Sequence, residues 1–294
     1  MCVKQPTTYD EQLNLIKEKG FLVDDAESCI AFLKRANYYR LSAYFLPFRK
    51  KDGTYYQEIP FRRIQRIYDF DSKIRALLFK AIEQIEFHLR TQFSYFLAHK
   101  YGALGYMNTD TFSNLHNSEK FNDRIKQCIE ENSHTLVVKH HRRKYNGQFP
   151  VWVIIEFFSM GMLSYLYSDL RSVDQKQIAK DSLGTSATCL KSWLRCITDL
   201  RNRCAHYSRL YYWVFPAIPQ MPKVCTYKAD RKLFSQILML KYLYPSKNEW
   251  DNQVFIEIEA LIKEYLPDIS LKHIGFPNNW EQLLKDEKNS KILS

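Results

Sequence analysis

Residues 60–101 read PFRRIQRIYDFDSKIRALLFKAIEQIEFHLRTQFSYFLAHKY, and this stretch decides the fold. Its apolar residues Ile64, Ile67, Ile74, Leu77, Leu78, Ala81, Ile82, Ile85, Leu89, Phe93, Phe96 and Leu97 recur at the 3-4 spacing of one helix face. At ~1.5 Å rise per residue, about 38 residues make a rod of nearly 60 Å, long enough to organise everything packed around it. On its polar side Glu83, Glu86 and Arg90 stand at i, i+3 and i+7. They read as a solvated face with a Glu86–Arg90 pair, or as one wall of a cleft.

Outward from this rod the helical signals continue. Upstream, Thr8 with Glu11 forms a capping box and Gly20 closes the helix it starts, while Asp24 or Asp25 begins another through Cys29, Ile30, Phe32 and Leu33. Residues 37–45 are aromatic-rich without a clear period and read as packing, with a turn at Lys51-Asp52-Gly53. Downstream, Asn117 or Ser118 starts a helix through Ile125 and Ile129, followed by the basic run Lys139-His140-His141-Arg142-Arg143-Lys144, read as a loop. Residues 151–160 are apolar nearly all round except for Glu156. They fit a mostly buried helix with Pro150 in its first turn, or else a buried strand. Gly161 and Ser164 let a neighbouring helix approach. Helices are expected over 183–207, 231–243 and 254–265, a proline-bearing connection at 216–222, and a frayed tail from Lys285. The expectation is an all-α chain in three segments: 1–60, a helical core over 61–215, and 216–294.

Composition agrees. The 294 residues are 46% hydrophobic and 26% charged with only 8 Gly and 10 Pro, which excludes collagen-like, linker-rich and disordered classes and argues against a glycine-dependent nucleotide fold. The net charge of +11 is unevenly spread, with excesses of +6 over 61–150 and +3 over 151–215, so a polyanion is the expected partner. The seven cysteines never form a C-x-x-C pair, which gives neither a disulfide framework nor a zinc site. Cys189, Cys196 and Cys204 fit the buried face of a helix. No apolar run has signal-peptide or membrane-spanning length, so a cytoplasmic protein is expected, with no membrane contact.

The chemistry gathers at Arg201-Asn202-Arg203-Cys204-Ala205-His206-Tyr207-Ser208-Arg209-Leu210. Asn202 and His206 are an i,i+4 pair on a helix, so the amide is placed to orient the imidazole, and Arg201 reaches the same pocket through its long side chain. An imidazole beside fixed guanidinium groups suits RNA cleavage by internal transesterification: a base takes the ribose 2′-OH proton and arginine stabilises the five-coordinate phosphate. That route needs neither metal nor cofactor. The alternative for an isolated R-x4-H string is a surface histidine on a basic helix.

This segment resembles the R-[polar]-x3-H signature of HEPN ribonucleases, in the form carried by bacterial Abi D/F-type (Abi-like) abortive-infection proteins. Three further stretches agree in order and spacing: Ala36-Asn37-Tyr38-Tyr39-Arg40-Leu41-Ser42-Ala43-Tyr44; Tyr68-Asp69-Phe70-Asp71 with Arg75, Glu83, Glu86 and Arg90; and Pro150-Val151-Trp152 with Glu156 and Phe158–Ser164. The resemblance spans about residues 7–215. It implies a HEPN-like helical bundle with added N- and C-terminal helices, RNA damage as phage defence, and a homodimer that pairs two histidines. It carries Arg201 and His206 over as catalytic and Asn202 as the orienting group, and it leaves room for an RNA or protein antitoxin. Two positions depart from the pattern. Tyr211-Tyr212-Trp213 follows Arg209-Leu210 where the family usually continues Trp-Asn. Ser208 stands where nucleotidylated members carry tyrosine.

Around these residues, a buried Glu156 needs a cation such as Arg201 or Arg203, or a hydrogen-bond donor, either as a structural pair or to orient the catalytic arginine. Glu86 and Arg90 are further candidates for the cleft. Lys139, Arg142, Arg143, Lys144 and Arg209 are expected to contact RNA phosphates and Tyr145 to stack a base, unless the run is merely solvated. A non-catalytic protein that holds a small RNA is the competing function. A nucleotide-dependent enzyme lacks any G-x-x-x-x-G-K or G-x-G-x-x-G cradle.

Overall fold

Thr8 caps α1 (Tyr9–Glu18) with the full capping box, and Gly20 turns the chain out of it at φ +89. A two-residue parallel pair, β1 (Phe21–Leu22) with β2 (Ile59–Pro60), ties this start to the entry of the long helix. The computed structural model describes residues 5–285, and these form an all-α fold. Asp25 caps α2 (Ala26–Leu33). The aromatic stretch without a clear period coils into α3 (Tyr38–Ser42), capped by Asn37, and a 3-10 turn over Ala43–Phe48. Leu41, Tyr44, Phe45 and Phe48 all point inward. Elements this short are buried on several sides, so no single stripe marks them.

The rod is α4 (Phe61–Tyr101), unbroken over 41 residues and ended by Gly102 at φ +81. Its buried face follows the expected apolar positions but also carries Asp71, Arg75 and Glu86. Asn117 caps α5 (Ser118–Glu131). The basic run, expected as a loop, is instead α6 (Leu136–Lys144): the Thr135 side chain caps it at Val138 N, turning Val138 and His141 inward and the cations outward.

The helix expected over 151–160 is interrupted. α7 (Val151–Ile154) tightens into a 3-10 turn over Ile155–Phe157, Phe158 is extended, and Ser159 caps a new helix, α8 (Met160–Asp169), by accepting from Met162 N. α9 (Ser172–Gln177) runs into a π-helical turn over Ile178–Ser182. The next helix, α10 (Ala187–Ala205), begins four residues later than expected, because Gly184 turns at φ +55 and Ser186 is the cap. It buries Cys189, Cys196 and Cys204 among its apolar residues, as expected. After the proline-bearing connection come α11 (Leu233–Leu243), α12 (Lys247–Glu249), a π-helical turn over Trp250–Val254, α13 (Phe255–Tyr265), α14 (Leu271–Ile274) and α15 (Trp280–Lys285). The expected frayed tail lies beyond Lys285, outside the described residues.

α10 packs on α8 and α4, with Gly161 facing Thr198 across the α8–α10 contact. α13 lies along α4, its Tyr265 ring beneath Arg66 at 3.9 Å. The pairs Arg66–Asp268 and Lys73–Glu264, each at 3.0 Å, decorate that seam, but partly exposed pairs contribute only ~0–1 kcal/mol each. Buried apolar area does the holding, and residues of all three segments belong to one continuous hydrophobic cluster. Among the described residues no helix is long and apolar enough to cross a membrane.

Candidate functional site

α10 brings the motif to a helix end. Arg201 and Asn202 lie in its last turns and His206 is its C-cap, its N–H donating to the Asn202 carbonyl at 2.9 Å. Ser208 N–H then donates to the Arg203 carbonyl at 2.8 Å and Tyr207 N–H to the Cys204 carbonyl at 3.2 Å, the paired bonds of a Schellman closure. That closure requires a left-handed residue after the cap. Tyr207 supplies it at φ +56, where glycine would be unstrained and a side chain costs on the order of 1–2 kcal/mol. The helix stops there and leaves the His206 side chain exposed.

Three contacts from outside α10 hold this end. Asp71 of α4 is fully buried: Oδ1 accepts from Leu210 N at 2.9 Å and Tyr211 N at 2.6 Å, while Oδ2 accepts from the Tyr44 hydroxyl at 2.7 Å and pairs with Arg75. Burial pushes the Asp71 carboxyl above the usual carboxylate range, with Arg75 and the three hydrogen-bond donors opposing it. Arg40 donates to the Tyr207 carbonyl, and Arg209 Nη1 returns a bond to the Ala43 carbonyl at 2.7 Å. Two arginines therefore cross between the N-terminal segment and the motif in opposite directions.

Arg201 is held from the side. Its Nε is 3.6 Å from Glu86 Oε2, and its guanidinium lies 5.9 Å from the centre of the Phe79 ring. The other Glu86 oxygen meets Arg90 Nη2 at 2.6 Å, and that same nitrogen donates to the Phe158 carbonyl at 2.9 Å. Glu86 is thus a buried carboxylate shared by two arginines, one of them half-exposed. Among the described residues no protein group accepts a hydrogen bond from the Arg201 guanidinium, and none pairs with the His206 imidazole.

Several expectations are corrected. Glu86 and Arg90 are not a solvated stripe, since Glu86 is 8% exposed, although Glu83 is exposed. Glu156 is not buried and meets neither Arg201 nor Arg203: the 3-10 turn swings it outward, to 55% side-chain exposure and 4.0 Å from Arg90 Nη1. Arg203 pairs with Asp199 at 3.4 Å and lies over the Trp213 ring at 3.6 Å. Burial lowers its pKa, with Asp199 opposing. No Asn202–His206 side-chain bond forms among the described residues, because His206 has already left helical geometry at ψ +15. Arg209 is turned inward onto Ala43 instead of facing RNA, and burial lowers its pKa.

The remaining predicted RNA contacts lie on α6, where Lys139, Arg142, Arg143, Lys144 and Tyr145 are all exposed. Arg142 pairs with Glu130 at 2.6 Å and Lys144 lies 5.6 Å from the Tyr145 ring centre. No hydrogen bond, ion pair or ring contact among the described residues joins α6 to Arg201 or His206. Sequence reasoning gave Asp71, Arg40 and Phe79 no role. Asp71 and Arg75 had a legible signal, an i,i+4 ion pair on the apolar face between Ile67 and Leu78.

Tyr212 stands at φ +56, in the left-handed region that asparagine tolerates better than most residues, so the backbone favours asparagine here and nothing in the structure explains the tyrosine. Among the described residues no group of three or more His, Cys, Asp or Glu could hold a metal ion. No curated protein and no solved structure matches the chain. The family model for Abi-like protein matches residues 31–212, a span that takes in the Arg40 contact, α4 with Asp71 and Glu86, and the whole motif of α10. The chain belongs to the Abi-like family of abortive-infection proteins.

Proposed function

We propose that the chain is the toxic effector of a bacterial abortive-infection system: a metal-independent endoribonuclease of HEPN type that cleaves RNA by attack of a ribose 2′-OH. The observation that carries this reading is the unsaturated pair at the end of α10. A guanidinium steadied by a buried carboxylate but giving no hydrogen bond to the described residues stands five residues before an exposed imidazole equally without a partner among them. Groups left free at a rigidly held helix end are suited to a ligand, and these two suit a phosphodiester.

In the reaction the 2′-oxygen bonds to phosphorus as the P–O5′ bond breaks, leaving a 2′,3′-cyclic phosphate and a 5′-hydroxyl. His206 takes the 2′-OH proton, Arg201 donates to the non-bridging oxygens, and His206 of a second copy protonates O5′. A homodimer is part of the proposal. Exposed aromatic residues beside the pair, Phe79 next to Arg201 and Tyr207 next to His206, support it. Asn202 is exposed beside the pair, and the exposed cations of α6 offer a further surface to RNA, which serves as substrate or as antitoxin.

The test is incubation of the purified protein and its His206→Ala variant with total and transfer RNA in EDTA, followed by end-group analysis. Cyclic-phosphate ends from the wild type alone are expected. The exposed cations of α6 favour one second reading, a protein that holds a small RNA without cutting it. Intact RNA bound equally by both proteins would establish that reading instead.

A further inference from the structure

A cavity of about 360 Å³ opens between the back of α4, the π-helical turn before α10 and the end of α11. Its wall includes Lys180, Lys241 and Lys247 with His88, against the single carboxylate of Asp181. Lys241 is steadied by donating to the Leu283 carbonyl at 2.7 Å, whereas no carboxylate pairs with Lys180 or Lys247 among the described residues. Ammonium groups gathered in a concave site repel one another, and an anion that enters relieves this. The cavity shares no lining residue with the Arg201–His206 end of α10. His88 lies between Glu86 and Arg90 in sequence but is turned about 200° from each by helical geometry, on the opposite face of α4.

A second cavity of about 320 Å³ shares the wall formed by Leu183, Gly184 and Tyr242. It is mostly apolar, contains Lys223, and is floored by Trp193, on which the Tyr242 ring stacks at 5.8 Å and 12°. It also holds the first turn of α10, with the cap Ser186 and Thr188. A cationic chamber that adjoins an apolar one, with Leu183, Gly184 and Tyr242 lining both, matches a ligand with a polyphosphate at one end and a planar base at the other.

We infer that this paired cavity binds a nucleoside polyphosphate, with the phosphates on Lys180 and Lys247 and the base against Tyr242 and Trp193. The site requires no glycine-rich cradle, because its charges come from lysine side chains. It sits at the N-terminal end of the helix whose other end carries Arg201 and His206, so a ligand here would act on the motif through α10. That regulatory consequence rests on the proposed nuclease activity; the binding does not.

The test is calorimetric titration of the full chain with ATP, tripolyphosphate and adenosine, each without divalent metal, alongside tryptophan emission. ATP is expected to bind at micromolar to sub-millimolar concentration and to change the emission of Trp193. Tripolyphosphate should bind more weakly without that change. Lys180→Ala and Lys247→Ala, both at exposed positions, should each weaken ATP at least tenfold while leaving Tm and basal RNA cleavage unchanged. A decaribonucleotide bearing a 5′-triphosphate, compared with its 5′-hydroxyl form, distinguishes the end of an RNA chain from a free nucleotide as the source of the phosphates. No ATP heat at millimolar concentration, or ATP affinity indifferent to both lysine variants, overturns the site. A nuclease-dead His206→Ala protein that still binds ATP would separate failure of the cleavage reading from failure of this one.

Discussion

Asp71→Ala tests whether the motif is held from α4. In the native chain Asp71 neutralises Arg75, which is 5% exposed, and accepts from Tyr44, Leu210 N and Tyr211 N. Its removal leaves a buried guanidinium unpaired, a loss of about 3–5 kcal/mol, and orphans three donors at about 1–3 kcal/mol apiece where they do not reach water. Relaxation of the 208–213 loop recovers part of that sum, so a net loss of about 4 kcal/mol is expected against a total stability of ~5–15 kcal/mol. At about 2–4 °C per kcal/mol, Tm should fall by roughly 8–16 °C. The assay is urea and thermal unfolding of Asp71→Ala, Arg75→Leu and the double variant. The double should be more stable than Asp71→Ala alone, because the unpaired charge is gone while the orphaned backbone donors remain. A single-variant loss below about 1 kcal/mol, or a double variant no better than the single, would refute the reasoning.

Other outcomes follow from the same geometry. Glu86→Ala should cost about 2–3 kcal/mol, because it strips a buried carboxylate from Arg90 and Arg201, whereas exposed Glu156→Ala should cost under about 0.5 kcal/mol; chemical denaturation of the two ranks them, and the reverse order would restore Glu156 as the partner of the motif. Tyr207→Gly relieves about 1–2 kcal/mol of left-handed strain and adds about 0.4–1 kcal/mol of unfolded-chain entropy, so stability should rise by roughly 0.5–1 kcal/mol; a fall would mean that the ring, and not only the carbonyl that receives Arg40, holds the turn. The half-buried imidazoles of His88 and His273 are pushed below the ordinary value of 6.5, by desolvation first, aided for His273 by Lys232 and Arg63 and opposed for His88 by the Ser182 backbone. Unfolding then takes up protons, so their stabilising contribution is complete above about pH 6.5 and is lost as pH falls toward the lower folded values. Urea midpoints between about pH 7.5 and 5.5 should decline, and His273→Gln should flatten the curve; equal slopes would exclude that histidine as a source.

The sequence by itself determined the longer helices, though not α3, α6 or the break within 151–160. The 3-4 spacing of α4, the Thr8–Glu11 box, the cap regions at Asp24-Asp25 and Asn117-Ser118, and the buried cysteine face of α10 are all local, since propensity, capping and periodicity act within a few residues. The motif was legible because Arg201, Asn202 and His206 lie within six residues of one another at the end of α10. Partners were not legible, because the separations that matter are long. Glu86 meets Arg201 across 115 residues, and Asp71 meets Leu210 across 139. Glu156 looked like the residue for Arg201 because it stood alone among apolar neighbours. Only the packed chain, by breaking the 151–160 helix at Ser159 and turning that carboxylate to solvent, gave the role to Glu86. A buried ion pair is chosen by which faces two helices present to one another, and that is a property of the packing of α10 against α4, which no local stretch of sequence contains.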